Sequence, residues 1–176
     1  MAGGPAALAA LLVFGGSAVF LYLASSLQHA LPAGPARRLF LILDHCGIFL
    51  LIAATYTPFA LLLFGSPALL AVIWSIAVLG MAGQVLAVAA GRDEDFEAVG
   101  WILYLAMGWV PLAWFARTLV AWYPAPGLLL LVAGGLAYSL GVPFYRQRRL
   151  RYGHAVWHLF SAAGTALHFG AVATLL

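Results

Sequence analysis

Long apolar runs separated by short polar connections dominate this chain. A transmembrane helix needs about 20 mostly apolar residues, and six segments reach that length. None shows the strand-like alternation of apolar and polar positions, which favours helices over a β-barrel. The predicted spans are residues 6–30, 39–64, 68–90, 98–121, 126–145 and 153–175. The pattern predicts an all-α integral membrane bundle of six spans, with residues 1–176 as a single domain.

Composition agrees with a membrane protein. Hydrophobic residues make up 65% of the chain and charged residues only 7%, whereas soluble domains have about 25% charged residues. There is no lysine, which excludes a retinal Schiff base. The single cysteine, Cys46, excludes an intrachain disulfide and is expected to be a small buried hydrophobe. The first residues lack the basic region of a secretory signal peptide, so we expect none.

The arginines predict the orientation in the cell (inner) membrane. The positive-inside rule assigns Arg-rich short loops to the cytoplasm. Seven of the eight basic residues fall in the first, third and fifth loops, and only Arg117 falls on the other side. These seven are Arg37, Arg38, Arg92, Arg146, Arg148, Arg149 and Arg151. Loops 1, 3 and 5 are therefore predicted to be cytoplasmic and the C-terminus external. The net charge of +3 requires no nucleic-acid partner.

An acidic run lies in the third loop. It comprises Asp93, Glu94, Asp95 and Glu97. Acidic residues contribute little to membrane orientation, so we interpret this run as a solvated face.

Four polar residues lie at ends of spans that this topology places on one side of the membrane. His29 ends the first span, Asp44 lies about one and a half turns into the second, and His154 and His158 open the sixth. The i,i+4 spacing puts the last two imidazoles on one helical face. Ser25 shares the face of His29. Because polar groups are costly in a membrane, a converging set of them indicates a functional site.

Zinc chemistry fits these residue types. Three imidazoles can hold zinc and leave a fourth position for water, whose pKa the metal lowers to about 7. We predict His29, His154 and His158 as the ligands. Asp44 would hold the water and move its proton, and Ser25 would polarise a substrate carbonyl or support a ligand. The alternative is that these histidines are interfacial or helix-pairing residues.

Two further histidines do not fit this cluster. His45 is adjacent to Asp44 and points elsewhere on the helix, so we expect an interfacial polar residue. His168 lies ten residues beyond His158, about 15 Å along the axis, and is expected to form an interhelical hydrogen bond. Pro58 is expected to kink the second span, and Gly134-Gly135 to mark close helix packing.

The residues also resemble a known family, the hemolysin III branch of the progestin and adipoQ receptor (PAQR) superfamily. The similar segments cover nearly the whole chain in order: Ser25–His29, Leu43–Ile48, Ile52–Phe59, Met107–Trp109, Gly134–Gly141, His154–Phe160 and His168-Phe169.

The resemblance implies a seven-helix bundle with a cytoplasm-facing zinc site. The family's zinc histidines fall on His29, His154 and His158, its aspartate on Asp44 and its serine on Ser25. Its first helix has no counterpart here, so we expect either a six-helix variant or a start placed downstream of the true one.

The favoured function is a zinc-dependent membrane hydrolase that cleaves an amide or ester bond of a membrane lipid. Two alternatives stay open: a non-catalytic receptor-like or homeostasis module with structural zinc, and a cytolytic, hemolysin-type membrane protein. A bis-histidine haem protein is a weaker option.

Overall fold

The computed structural model describes residues 4–147 and 149–175, without the side chain of Glu97. The expectations for the first three residues and for Arg148 lie outside this range. The described chain is α-helical throughout, with no strand, which confirms the all-α class. Its helices are α1 (Pro5–Ala30), α2 (Pro35–Pro58), α3 (Pro67–Ala89), α4 (Asp93–Trp114), α5 (Ala116–Trp122), α6 (Ala125–Arg146) and α7 (Gly153–Ala173).

Five of the described helices are long and apolar enough to cross a membrane: α1, α2 with the turn that follows it, α3, α4 and α6. The sixth predicted span corresponds to α7, which has 21 residues. It is long enough to cross, at about 1.5 Å per residue, but its three histidines lower its hydropathy. A sixth crossing therefore stays a prediction.

Prolines and glycines set most helix ends. Proline stands in the first turn of α1, α2, α3 and α6, where its missing N–H would have no helical partner in any case. The turns before α3 and α4 contain Gly65 and Gly91 at positive φ, a conformation that glycine adopts without strain. Ser66 caps α3, its Oγ accepting a hydrogen bond of 3.2 Å from the Leu69 N–H.

Pro58 is followed by a π-helical turn over Phe59–Leu63. The Phe64 N–H donates to the Phe59 carbonyl, five residues back, at 2.9 Å. Proline has no N–H for the helical ladder and crowds the preceding turn, and a wider turn accommodates both defects.

Three predicted boundaries are wrong in position. Helix α2 begins at Pro35, so Arg37 and Arg38 lie in its first turn and not in a loop. Helix α4 begins at Asp93, where the acidic residues of its first turn complement the helix dipole. The predicted span 98–121 is interrupted at Phe115, where α4 ends and α5 begins.

The chain packs as two compact units, the first ending at Met107 and the second beginning at Gly108. In the first unit, α2 packs along both α1 and α3. Its core comprises Phe49, Ala53, Ile73, Ala77 and Met107. The ring of Phe49 occupies the space beside Gly80 that a larger residue would fill, and it meets Tyr104 edge-on at a centroid distance of 4.6 Å.

In the second unit, α6 packs along α7. Glycines permit the close approach: a Cβ on Gly134 would overlap His168, and one on Gly164 would overlap Tyr138. This confirms the prediction of close packing at Gly134. The adjacent Gly135 faces the indole of Trp109, whose Nε1–H donates to Ser139 Oγ at 2.9 Å.

Candidate metal centre

Helix α7 presents two histidines side by side at its start. His154 and His158 are one helical turn apart, with ring centroids separated by 4.6 Å and ring planes nearly perpendicular. The Tyr145 ring of α6 lies 6.3 Å from the His154 ring and 5.4 Å from that of Trp157. These aromatic contacts restrict the rotamers available to the first turn of α7, so the pair is held on one face.

His29 lies in the last turn of α1, just before the chain leaves the helix at Leu31. The ligand nitrogens of His29, His154 and His158 all lie within 4.8 Å of one another. His29 and His154 are exposed and His158 is half-buried. The three histidines selected from the sequence therefore form a cluster that could hold a metal ion.

The donor set fits a transition-metal ion of the zinc type. Imidazole nitrogens bind zinc at about 2.0–2.1 Å, and ligands at that distance in a tetrahedral site lie roughly 3.4 Å apart. An upper limit of 4.8 Å on the separations of the three nitrogens is compatible with such a site. The donors alone do not identify the metal, because imidazole also suits copper, iron and nickel.

Asp44 and Ser25 meet where α1 packs along α2. Gly47 allows this approach, since a Cβ there would press on Leu21 of α1. Ser25 is buried, and its side chain lies close enough to the Asp44 carboxyl for the two to interact. Their contact falls short of a well-formed hydrogen bond, because Ser25 Oγ has no partner of standard geometry among the described residues. Asp44 itself is half-buried.

Gln28 is a polar residue of this region that the sequence reasoning did not select. It is 8% exposed, and its Oε1 has no hydrogen-bond partner among the described residues. It follows Ser25 by three residues and so shares its helical face. The sequence did contain a signal for Gln28, since it is a glutamine inside an apolar span, one helical turn from Ser25. Two unpaired polar groups thus lie on one face of α1 beside His29.

His45 has hydrogen-bond partners that the sequence reasoning did not name. The side-chain amide of Gln84, which is 2% exposed, donates to His45 Nδ1 at 3.2 Å. The Tyr104 hydroxyl lies 3.4 Å from the His45 carbonyl oxygen, to which it donates. His45 therefore ties α2 to α3, and the sequence reasoning missed Gln84 as its partner. Asp44, its neighbour, turns toward Ser25 instead.

His168 behaves as predicted. Its Nε2 donates to the Leu131 carbonyl of α6 at 3.1 Å. This is an interhelical hydrogen bond well away from the first turn of α7, where His154 and His158 lie.

The fold and the cluster together define a class: an all-α integral membrane protein that carries a three-histidine cluster and a carboxylate on its apolar helices. Residues 2–169 match the family described as "Haemolysin-III related". The chain belongs to this family, as its resemblance to hemolysin III and the PAQR superfamily implied.

Several proteins with curated names are similar to this chain. "Hemolysin-3" of Bacillus cereus is 38% identical over 170 residues, covering 95% of this chain and 75% of the relative. "Hemolysin-3 homolog" of Bacillus subtilis (strain 168) is 36% identical over 160 residues, covering 89% and 72%. Human "Monocyte to macrophage differentiation factor" is 32% identical over 130 residues, covering 73% and 52%. No solved structure matches the chain.

Proposed function

We propose that this protein is a zinc-dependent membrane hydrolase that cleaves an amide or ester bond of a lipid. The observation that supports this most directly is the approach of the His29, His154 and His158 ligand nitrogens to within 4.8 Å. Three protein ligands with a fourth position open is the arrangement of catalytic zinc sites, whereas structural sites use four.

Zinc, when bound, would polarise a carbonyl oxygen and lower the pKa of a water molecule to about 7. The chain's own residues would supply proton transfer. Asp44 would accept a proton from the attacking water and return it to the leaving group, as a general base and then a general acid. Ser25, buried with an unpaired hydroxyl, would donate a hydrogen bond to the substrate carbonyl oxygen.

A lipid substrate follows from where these residues lie. His29 and Asp44 belong to helices with the length and apolarity of membrane spans. A substrate whose scissile bond lies near a head group could reach them from the bilayer while its acyl chains stay in lipid. The unpaired Ser25 hydroxyl and Gln28 carbonyl oxygen can each bind a polar group at that depth.

The orientation that we propose places this end of the helices in the cytoplasm. Exposed arginines flank it: Arg37 and Arg38 in the first turn of α2, and Arg149 and Arg151 before α7. The positive-inside rule assigns such clusters to the cytoplasmic side.

The first test is the metal content of protein purified in detergent, measured by mass spectrometry. We expect about one zinc per chain, and its loss from both the His154→Ala and His158→Ala variants. His168→Gln is the matched control, because it alters a histidine of the same helix outside the cluster and should retain the metal. Well-folded wild-type protein that binds no metal would overturn the proposal.

The second test separates catalysis from a structural role for the metal. Asp44→Asn keeps the size of the side chain but cannot shuttle a proton. We expect this variant to retain zinc and to lose at least about two orders of magnitude in turnover of a lipid amide or ester substrate. Retained zinc with unchanged biological activity would favour a structural module instead.

A cytolytic role is the second candidate, and the names of the Bacillus relatives raise it. Dye-filled liposomes provide the test. Leakage caused equally by wild-type protein and by Asp44→Asn would favour cytolysis, and intact liposomes would count against it.

A further inference from the structure

One face of α7 carries a polar side chain at almost every turn. His154 and His158 are followed by Ser161, Thr165 and His168, with spacings of four, three, four and three residues. This repeat keeps all five on one stripe of an α-helix. From His154 to His168 the stripe extends about 21 Å, at 1.5 Å per residue. Only its first two members belong to the metal cluster, so the remaining three need a separate explanation.

The far part of this stripe faces α6. The Tyr138 hydroxyl of α6 and Thr165 Oγ1 lie 2.6 Å apart, and His168 Nε2 donates to the Leu131 carbonyl at 3.1 Å. The Tyr138 and His168 rings are themselves in contact, with centroids 5.6 Å apart. The seam between α6 and α7 is therefore polar along much of its length, although both helices are otherwise apolar.

Ser161, at the middle of this stripe, differs from six other hydroxyl residues of the described chain. It is 7% exposed, and its Oγ has no hydrogen-bond partner among the described residues. Six other Ser and Thr side chains donate to a carbonyl three or four residues earlier in the chain. These six are Ser17, Thr55, Thr57, Ser139, Thr165 and Thr174.

Such back-bonding is the ordinary way for a hydroxyl to be satisfied inside a membrane helix. Ser25, which faces Asp44, is the other buried hydroxyl left unpaired among the described residues. A buried hydroxyl that does not back-bond is oriented toward a different partner. At Ser161 that partner must fit beside Thr165 and Tyr138. Thr165 donates to the Ser161 carbonyl and Tyr138 to Thr165, so their oxygens can still act as acceptors.

We propose that the α6–α7 seam is hydrated, with ordered water at Ser161 that is continuous with the aqueous phase at the histidine end of α7. Buried water typically makes about three hydrogen bonds to polar groups that are otherwise unsatisfied. Ser161 Oγ is such a group, one helical turn from His158. The oxygens of Thr165 and Tyr138 are already hydrogen-bonded but keep lone pairs that can accept from a water. If the proposed hydrolysis is correct, this seam supplies the water that the reaction consumes; hydration of the seam itself does not depend on catalysis.

Cysteine accessibility tests the proposal directly. Single-cysteine variants are made in a Cys46→Ala background, reconstituted in liposomes and treated with a charged, membrane-impermeant methanethiosulfonate. Only a thiol in contact with water ionises and reacts. We expect Ser161→Cys to react at least about tenfold faster than two controls. The first control is Ser139→Cys, because Ser139 back-bonds to Gly135. The second is Ala162→Cys, on the exposed face of α7.

A reaction rate at Ser161→Cys no greater than at Ser139→Cys would overturn the proposal and leave the stripe as a dry interhelical seam. Thr165→Cys provides a second position if Ser161→Cys does not fold, and the same comparison then applies. Labelling is measured with and without added zinc. Rapid labelling of a protein that hydrolyses no lipid would retain the hydrated seam and refute only the proposed enzyme.

Discussion

The imidazole of His168 occupies the space that a side chain on Gly134 would fill. The ring packs close enough to the backbone of α6 for its Nε2 to donate to the Leu131 carbonyl at 3.1 Å. A glycine on one helix and a histidine on the other thus form a single interlocking unit. The hydrogen bond from His168 to Leu131 can form only because residue 134 has no side chain to block the imidazole.

We expect Gly134→Ala to destabilise the α6–α7 pair by about 1–3 kcal/mol, the usual cost of overpacking. The added methyl group would displace His168 and break its bond to Leu131. Unfolding in mixed micelles, followed by circular dichroism, measures the change. Gly108→Ala is the control, since no atom lies within 4 Å of a Cβ built there. Equal stability of the two variants would contradict the interlocking role of Gly134.

We expect Gln28→Leu to raise stability, by about 1 kcal/mol, because it removes a buried amide whose Oε1 is unpaired. The same change should lower activity, since natural proteins retain such groups at a cost where function needs them. Ser17→Ala is the control: its hydroxyl is paired with the Phe14 carbonyl at 2.7 Å, so its loss should not stabilise. Thermal unfolding and turnover, measured on the same preparations, test both halves. A destabilised Gln28→Leu protein would show that the amide is satisfied.

We expect the hydrogen bond between Gln84 and His45 to contribute about 1 kcal/mol, a typical value for a polar pair within a membrane. A double-mutant cycle with Gln84→Leu and His45→Leu measures it as the deviation from additivity. Additive effects would show that the 3.2 Å contact is energetically neutral. Zinc content should be unchanged in Gln84→Leu, because His45 lies outside the cluster.

We expect a reporter fused after Leu176 to be external and one inserted beside Arg92 to be cytoplasmic. Alkaline phosphatase is active only outside the cytoplasm and green fluorescent protein folds only within it, so paired fusions identify each side. The expectation rests on the arginine asymmetry and on an even number of crossings. A cytoplasmic C-terminus would mean that α7 does not complete a sixth crossing.

The helical class and the approximate positions of the helices could be predicted because the apolar runs are long, whereas the break at Phe115 that divides the fourth predicted span was not foreseen. Positions such as His29, His154 and His158 could be selected because a polar group in a membrane span is rare and costly. Helix starts were less predictable. Proline and acidic residues are typical of loops, yet Pro35 and Asp93 each begin a helix. Proline is favoured there because its missing N–H would have no helical partner, and aspartate because its charge complements the helix dipole.

The partners of individual side chains were beyond the reach of spacing alone. The rotation of α2 directs His45 to Gln84 and Asp44 to Ser25, and that rotation depends on packing around Gly47 and Gly80. Likewise, Ser161 resembles any other helical serine until its missing back-bond is seen. The rotamer of each Ser or Thr determines whether its hydroxyl donates to a carbonyl of its own helix or to another group. That rotamer is set by the folded structure and cannot be derived from sequence spacing.

The π-helical turn at Phe59–Leu63 changes the direction in which the following side chains point around the helix axis, relative to those before it. Each residue advances an α-helix by about 100°, so a turn that holds one residue more rotates everything after it relative to the Asp44 face. Removing a single residue from this turn would restore a regular helix and swing Phe64 and the following connection to a different side. The length of this short segment, more than its composition, therefore determines the direction in which the chain enters α3.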